Sequence, residues 1–490
     1  MLHARICLRV AAKSYYVSSV ARCISPRRTL LTLAIETSCD DTAVAILERS
    51  PLSGYAVTNT QPGSADLLST NHAQTTRPAA QLLFNKKVTA PNSGLGGIHP
   101  IEALESHQAN LSELVSKATE YLPDALPENC SSGISSSSVP AARTFQLKDG
   151  RTKRLPDFIS VTRGPGMRSN LTCGLDTAKG LAVAWQVPLL GVHHMQAHAL
   201  TPRLVHALEA QNSALGAEWN KPEPCFPFLT MLVSGGHTML LQSTSLVDHK
   251  ILATTRDVAI GDALDKCGRT ILTEEFKLRT KDTAFAKYLS DYGFPDQKSY
   301  KEWPVPRSRQ HEIDKPNNQY GWQVQSPLAG TRDLAYSFTG IATSIERLFK
   351  KRTEQAGGSL DEAERILFAQ TALGGAIEHL ASRTLIILEA LQSAKHDVST
   401  LVVSGGVAAN SFLRYFLREM LDVRGFQHVK LLFPPVWLCT DNAAMIAWCG
   451  MEMFEAGYRT ELDIRSLRKW SMDSAAEDGG ILGASGWIKY

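Results

Sequence analysis

One pattern occurs twice in this chain and limits its fold more than any other feature. Leu30 to Leu47 reads LLTLAIETSCDDTAVAIL, two apolar runs joined by a short polar bend. Pro227 to Leu241 reads PFLTMLVSGGHTMLL, the same form around a Gly-rich bend. Apolar runs of this length on either side of a tight polar turn predict a β-hairpin. A third strand, Leu401 to Val407, LVVSGGV, ends in Ser-Gly-Gly. Two hairpins with phosphate-sized bends, one per half, predict a duplicated domain with a cleft between its halves.

Between the hairpins the pattern changes to alternating strand and helix. Asp157–Thr162 is a buried strand, Arg163–Gly166 a loop, 170–185 a helix and Val187–Val192 a further strand, with a helix opening at His193. That alternation predicts a parallel or mixed sheet covered by helices. Helical spacing recurs at 101–120, 341–355 and 361–393. Residues 51–100 read as loop and short elements. Residues 122–155, with SSGISSSS, read as a flexible insertion or linker. The polar stretch 275–325 reads as a second insertion of unassigned structure.

With 490 residues the chain has room for about three units, or two large ones with insertions. At 43% hydrophobic and 20% charged residues it is neither coiled coil, collagen nor wholly disordered. Its longest apolar stretch, Gly180 to Val192, contains Gln186 and falls short of the roughly 20 residues a bilayer requires. A soluble protein without membrane insertion is expected. Residues 1–35 carry Arg5, Arg9, Lys13, Arg22, Arg27 and Arg28, scattered serines and no acid. Such a leader reads as a mitochondrial transit peptide, or else as a basic arm for nucleic acid. None of the nine cysteines stands in a C-x-x-C pair, which argues against a zinc ribbon, a thioredoxin-type site or an iron–sulfur cluster.

Five short motifs carry candidate chemistry. In HHMQAH (193–198), His194 and His198 are four apart and share a helix face, a spacing that suits two imidazoles on one metal. A zinc protease needs Glu directly after the first His; Met195 stands there, so the hydrolytic base is missing. The alternative is two histidines that pack or cap. Ser234-Gly235-Gly236-His237-Thr238 is either a bend that admits an anion or a plain turn. Ser404 to Asn410 leads from a strand into a helix, where main-chain amides favour phosphate and Asn410 can meet a ribose hydroxyl or base edge; a structural turn is the other reading. Asp441, before an apolar helix, is an N-cap or the carboxylate completing a His/His/Asp centre for zinc or non-haem iron. Glu36 to Asp41 holds a cation, orients a nucleophile or is a solvated turn. Lys350-Lys351-Arg352 and Arg465, Arg468 and Lys469 are candidate phosphate contacts or solvated helix faces.

Together these pieces stop being independent. ETSCDDT (36–42), HHMQAH (193–198), LVSGGHT (232–238), Ala263-Leu264-Asp265-Lys266, Tyr336-Ser337-Phe338-Thr339-Gly340, SGGVAAN (404–410) and CTDNAAMIA (439–447) occur in one order. The set resembles the tRNA threonylcarbamoyladenosine transferases, once described as O-sialoglycoprotein endopeptidases, in blocks from about 30 to 455, and the leader points to their mitochondrial branch. The resemblance implies an α/β, actin/Hsp70/sugar-kinase-like fold of two ribonuclease-H-like lobes around a central cleft. The expected units are a transit peptide at 1–29, an N-terminal lobe at 30–225, a C-terminal lobe at 226–460 and a tail at 461–490 without assigned role.

The implied reaction moves a threonylcarbamoyl group from threonylcarbamoyl-AMP to N6 of adenosine 37 in tRNAs reading ANN codons, in the mitochondrial matrix, and releases AMP. A separate synthase supplies the adenylate. By motif match His194, His198 and Asp441 hold one divalent metal per subunit, iron or zinc. Leu232, Val233, Ser234, Gly235 and Gly236 line the substrate site, Asp265 and Asn410 stand on the ribose or base side, and Asp40 faces the same cleft. No residue is singled out as general base. A homodimer is expected. The chain departs from the family pattern at Arg279–Thr283, which lacks a glycine pair, at Ala342 in place of a lysine, and at Pro100-Ile101 and Glu105, while His107 keeps its place. Two other readings are a nucleotide-binding regulator of the actin/Hsp70 type without transfer chemistry, and a metalloprotease.

Overall fold

The computed structural model describes residues 29–50, 79–91, 98–125, 143–210, 222–279, 285–396 and 398–490. The Arg-rich leader, the serine run and residues 280–283 of the altered loop lie outside them.

The first half runs β1 (Leu30–Glu36), β2 (Asp41–Arg49), β3 (Ala80–Thr89), α1 (Pro100–Glu120), a small hairpin of β4 (Thr144–Gln146) and β5 (Thr152–Arg154), β6 (Phe158–Gly164), α2 (Arg168–Trp185), β7 (Leu189–His193) and α3 (His194–Glu209). β1 and β2 form the expected antiparallel hairpin, and β3 continues it. On the other side of β1, β6 and β7 add in parallel. β1 is apolar up to Ile35 except at Thr32, whose hydroxyl donates to Phe158 O, because it is central and covered on both faces. Leu31, Leu33 and Ile35 join one core with Leu111 and Leu175, from α1 and α2, while Ala34 joins another with Trp448.

The second half runs β8 (Phe228–Val233), β9 (Thr238–Ser243), β10 (His249–Thr254), α4 (Ile260–Ile271), α5 (Glu274–Arg279), α6 (Phe285–Gly293), α7 (Gln297–Glu302), α8 (Arg309–Ile313), α9 (Thr339–Gln355), α10 (Glu362–Ser393), β11 (Thr400–Ser404), α11 (Ser411–Val423), β12 (Lys430–Leu432), α12 (Val436–Cys439), α13 (Ala443–Glu455), β13 (Tyr458–Thr460), α14 (Gly480–Gly483) and β14 (Trp487–Lys489). Its sheet repeats the first. β8, β9 and β10 are antiparallel neighbours, and β11 and β12 add in parallel beyond β8. The orders β3-β2-β1-β6-β7 and β10-β9-β8-β11-β12 are the duplication that the paired hairpins predict.

The polar stretch 275–325 is largely helical. A few aromatic anchors tie it down: Phe294 stacks on Phe412 with ring centroids 3.8 Å apart, and Trp322 on Phe368 at 4.1 Å. Glu312 of α8 is buried and accepts from Arg424 at 2.6 Å and from Ser382 of α10.

The end of the chain departs from the expected division at 460. After β12 the chain returns to the first sheet, where α13 packs on β1, β2 and β6. β13 pairs antiparallel with β7, and β14 with β13. The tail, too short in its strand to show a period in sequence, thus completes the first sheet. α13 lies so close to β6 that a Cβ on Gly450 would overlap Ser160 Oγ. α3 packs against α13 and touches β7 of one sheet and β8 and β11 of the other. Both helices therefore run where the halves meet.

Candidate metal centre

α3 starts where β7 ends. His193 closes the strand and caps the helix, its Nδ1 accepting the N–H groups of Met195 at 3.2 Å and Gln196 at 3.4 Å. Its Nε2 donates to Trp470 O at 3.1 Å. Burial pushes this imidazole down to about 3, so it is neutral and able to accept. The cap aims the next turn. His194 and His198 stand on one face with ring centroids 4.8 Å apart.

Asp441 comes from the turn before α13. The residue that caps that helix is Asn442, which accepts from Met445 N at 3.0 Å. Asp441 is left for another partner. Its Oδ1 lies 3.0 Å from His198 Nε2 and 3.5 Å from His194 Nε2. The three potential ligand atoms all fall within 4.8 Å of one another. Both histidines are buried, whereas a quarter of the Asp441 side chain is exposed. The group opens outward on its carboxylate side.

Glu36 stands behind it. The hairpin pattern assigned this residue to the polar bend; it is the last residue of β1 and fully buried. It accepts from Thr162 Oγ1 and Ser38 N, and its Oε2 is 3.2 Å from His194 Nδ1. Burial opposes charge on His194, but Asp441 and Glu36 push it up to about 10. Burial likewise raises Asp441, and His194 outweighs this to hold its carboxyl well below the usual range. Burial raises Asp40 and Asp41; each also repels Asp441, and Lys87 bonds Asp41 at 2.7 Å. Two imidazole nitrogens and a carboxylate oxygen that converge amid further acids fit a divalent cation.

The other expected site residues divide. Leu232 and Val233 have buried side chains, Leu232 packing with Met195 and Ala199 of α3, so only their main chain can face a ligand. Ser234 Oγ accepts from Gly236 N at 3.3 Å and His237 N at 3.0 Å, which folds the bend. A Cβ at Gly235 or Gly236 would meet nothing within 4 Å. Gly405 has φ +101°, and a Cβ there would overlap the Val233 carbonyl. The two Gly-rich motifs therefore meet at the ends of β8 and β11. Burial, and then His194, pushes His237 down to about 4, which ties this bend electrostatically to the His/His/Asp group. Asn410 caps α11 through Leu413 N at 2.9 Å. Asp265 accepts from Ala286 N at 2.7 Å, at the start of α6.

The sequence showed His107 keeping its family place but not what it does, and gave no sign of Asn170: together they pin the first bend. His107 Nε2 donates to Cys39 O at 3.0 Å, and Asn170 Nδ2 to the same oxygen at 2.7 Å. Thr42 Oγ1 donates to His107 Nδ1 at 2.7 Å. The available signal was a histidine in register with the apolar face Leu111, Leu114, Val115 and Ala118 of α1.

Duplicated ribonuclease-H-like sheets with a His/His/Asp group at their junction define an α/β protein of the actin/Hsp70/sugar-kinase class that carries a candidate metal centre. A profile of the tRNA N6-adenosine threonylcarbamoyltransferases (TsaD) matches residues 126–448. The mitochondrial tRNA N6-adenosine threonylcarbamoyltransferase of Schizosaccharomyces pombe is 33% identical, over 99% of this chain and 95% of that one. The tRNA N6-adenosine threonylcarbamoyltransferase of Novosphingobium aromaticivorans is 30% identical, over 91% and 97%. The chain belongs to the tRNA N6-adenosine threonylcarbamoyltransferase family and is a transferase, which sets aside the protease and regulator readings.

Proposed function

We propose that the chain transfers the threonylcarbamoyl group of threonylcarbamoyl-AMP to N6 of adenosine 37 in mitochondrial tRNAs that read ANN codons, within the matrix, and releases AMP. The observation that carries this reading is the convergence of His194, His198 and Asp441 beside the glycine bends at the ends of β8 and β11. His194 Nε2, His198 Nε2 and Asp441 Oδ1 would hold one divalent ion per subunit, a donor set that accepts iron or zinc. When bound, such an ion supplies Lewis-acid stabilisation of negative charge on the donor's oxygens.

The rest falls to the chain's own groups. The donor is a mixed anhydride with a good leaving group, so orientation of the N6 amine against the carbamoyl carbon dominates the barrier. The uncrowded bend at Gly235-Gly236 lets phosphate approach the main chain. Asn410, its Oδ1 committed to the α11 cap, keeps its amide N–H groups for the ribose or base. Asp265, which steadies α6, stands on that side as well. The target adenine must arrive unstacked, as is usual for loop RNA. A separate synthase supplies the adenylate, the assembly is a homodimer, and residues 1–29 are a transit peptide.

The test combines the protein with an adenylate synthase, threonine, bicarbonate, ATP and an unmodified ANN-decoding tRNA, followed by mass spectrometry of the tRNA nucleosides. Threonylcarbamoyladenosine is expected, and is expected to vanish in His194→Ala and Asp441→Ala. No product beside a working family member, with nucleotide still bound, overturns the reading.

A further inference from the structure

An acidic interior poses a problem for a transferase whose acceptor is a polyanion. Glu36, Asp41 and Asp441 already engage the cationic groups beside the centre, His194 and Lys87, and leave neither for an RNA phosphodiester. Further cations have to stand outside the centre, close enough to guide the RNA.

Such a group borders the first bend. Arg168 is the first residue of α2, and Arg465, Arg468 and Lys469 lie between β13 and β14. All four are exposed, and none pairs with an acid among the described residues. Their segments are fastened together. Leu467 N donates to Arg163 O at 2.8 Å, Gly166 N to Arg468 O at 3.4 Å, and Thr172 Oγ1 and Ser466 Oγ are 2.9 Å apart. Asp463, the acid nearest Arg465 on the same segment, acts on the buried Arg163.

The patch is continuous with the centre. Met167 N donates to Ser38 O at 2.9 Å, and a Cβ on Gly166 would stand 2.7 Å from that oxygen. Ser38 Oγ is 3.3 Å from His194 Nδ1. The other basic run is less available, because Arg352 pairs with buried Glu364 at 2.8 Å.

We propose that Arg168, Arg465, Arg468 and Lys469 form a phosphate-binding rim that grips the RNA backbone flanking the reacting adenosine. The partner is the same tRNA, so the inference rests on the function proposed above and locates its docking surface. Exposed cations next to the centre divide the work: the rim attracts the backbone, and the cleft receives the unstacked base.

The test measures tRNA binding against salt, together with separate KM values for tRNA and for threonylcarbamoyl-AMP. The triple variant Arg465→Ala/Arg468→Ala/Lys469→Ala should flatten the slope of log affinity against log salt by about three, roughly one unit for each phosphate no longer neutralised. The tRNA KM should rise on the order of tenfold or more at about 0.1 M salt, with the adenylate KM unchanged. Arg168→Ala should act in the same direction, and Arg465→Lys/Arg468→Lys should retain binding. A matched pair on α7, Lys298→Ala/Lys301→Ala, should change neither quantity. Parental slope and tRNA KM in the triple variant overturn the inference, as does an equal loss in the α7 pair. A parental protein that forms no product while the triple variant still weakens tRNA binding defeats the function and upholds the rim.

Discussion

Replacing Glu36 with glutamine leaves the shape of the site and removes one charge from it. Glu36 Oε1 accepts from Ser38 N, while Oε2 accepts from Thr162 and faces His194 Nδ1 at 3.2 Å. With a metal on the opposite nitrogen, His194 is neutral and its Nδ1–H donates to Glu36, which fixes tautomer and ring orientation and raises ligand basicity. Glutamine has one acceptor end. If its oxygen stays beside His194, its N–H2 group meets the Ser38 N–H, and a buried donor is left without a partner. That cost is about 1–3 kcal/mol. Loss of such a carboxylate behind a ligating histidine lowers metal affinity by about 10–100-fold, or about 1.4–2.7 kcal/mol. The assay titrates zinc, and separately ferrous iron under nitrogen, into metal-stripped Glu36→Gln and parental protein against a chelating indicator, with thermal melts to confirm folding. A folded Glu36→Gln protein that binds both ions as tightly as the parent refutes the assignment of Glu36 as the residue that orients His194.

Gly450→Ala should be destabilising by about 1–3 kcal/mol, because the overlap with Ser160 Oγ outweighs the gain in helix propensity; an unchanged melting temperature would show that α13 is not seated on β6. Gly405→Ala places a side chain at φ +101° against the Val233 carbonyl and should raise the KM for threonylcarbamoyl-AMP at least about tenfold, with steady-state kinetics as the check; an unchanged KM would remove this bend from the donor site. Acid should weaken the fold through His249, which burial pushes down to about 4 and which bonds Ser243 at 2.8 Å and Leu246 O at 3.0 Å. The unfolded chain takes up this proton first as pH falls below about 6.5, so stability is complete above that value and drops by up to about 1.4 kcal/mol per pH unit down to about 4. Urea midpoints across this range should fall less steeply in His249→Gln, and parallel curves would argue against the assignment.

How much of this could be read from the chain depends on the range of the interactions. The hairpins, the helix face of His194 and His198 and the glycine bends are local patterns, and the structure has them where the spacing puts them. Asp441 was ambiguous because Asp and Asn are both good caps and stand side by side; only the start of α13 decides that Asn442 takes the cap. Glu36 looked like a turn residue because its partners, Thr162 and His194, are far away in sequence. In 275–325 the anchors are equally distant: Trp322 meets Phe368, and Glu312 meets Arg424. No period in the sequence records such pairs.

The return of the chain to its first sheet has a consequence for how the molecule comes to exist. A protein made or threaded through a membrane from its N-terminus has β1, β6 and β7 in hand long before residues 443–490. Until those arrive, the outer edge of β7 is unpaired, and the apolar groove that takes Met445, Trp448 and Met451 is empty. An exposed edge beside an open groove is what holding chaperones recognise and what neighbouring chains can wrongly join. Asp441 sits just ahead of that closing segment, so the last member of the His/His/Asp group arrives together with the piece that seals the first lobe. A chain stopped short of 441 therefore has an open edge and groove and lacks one side chain of its candidate metal centre.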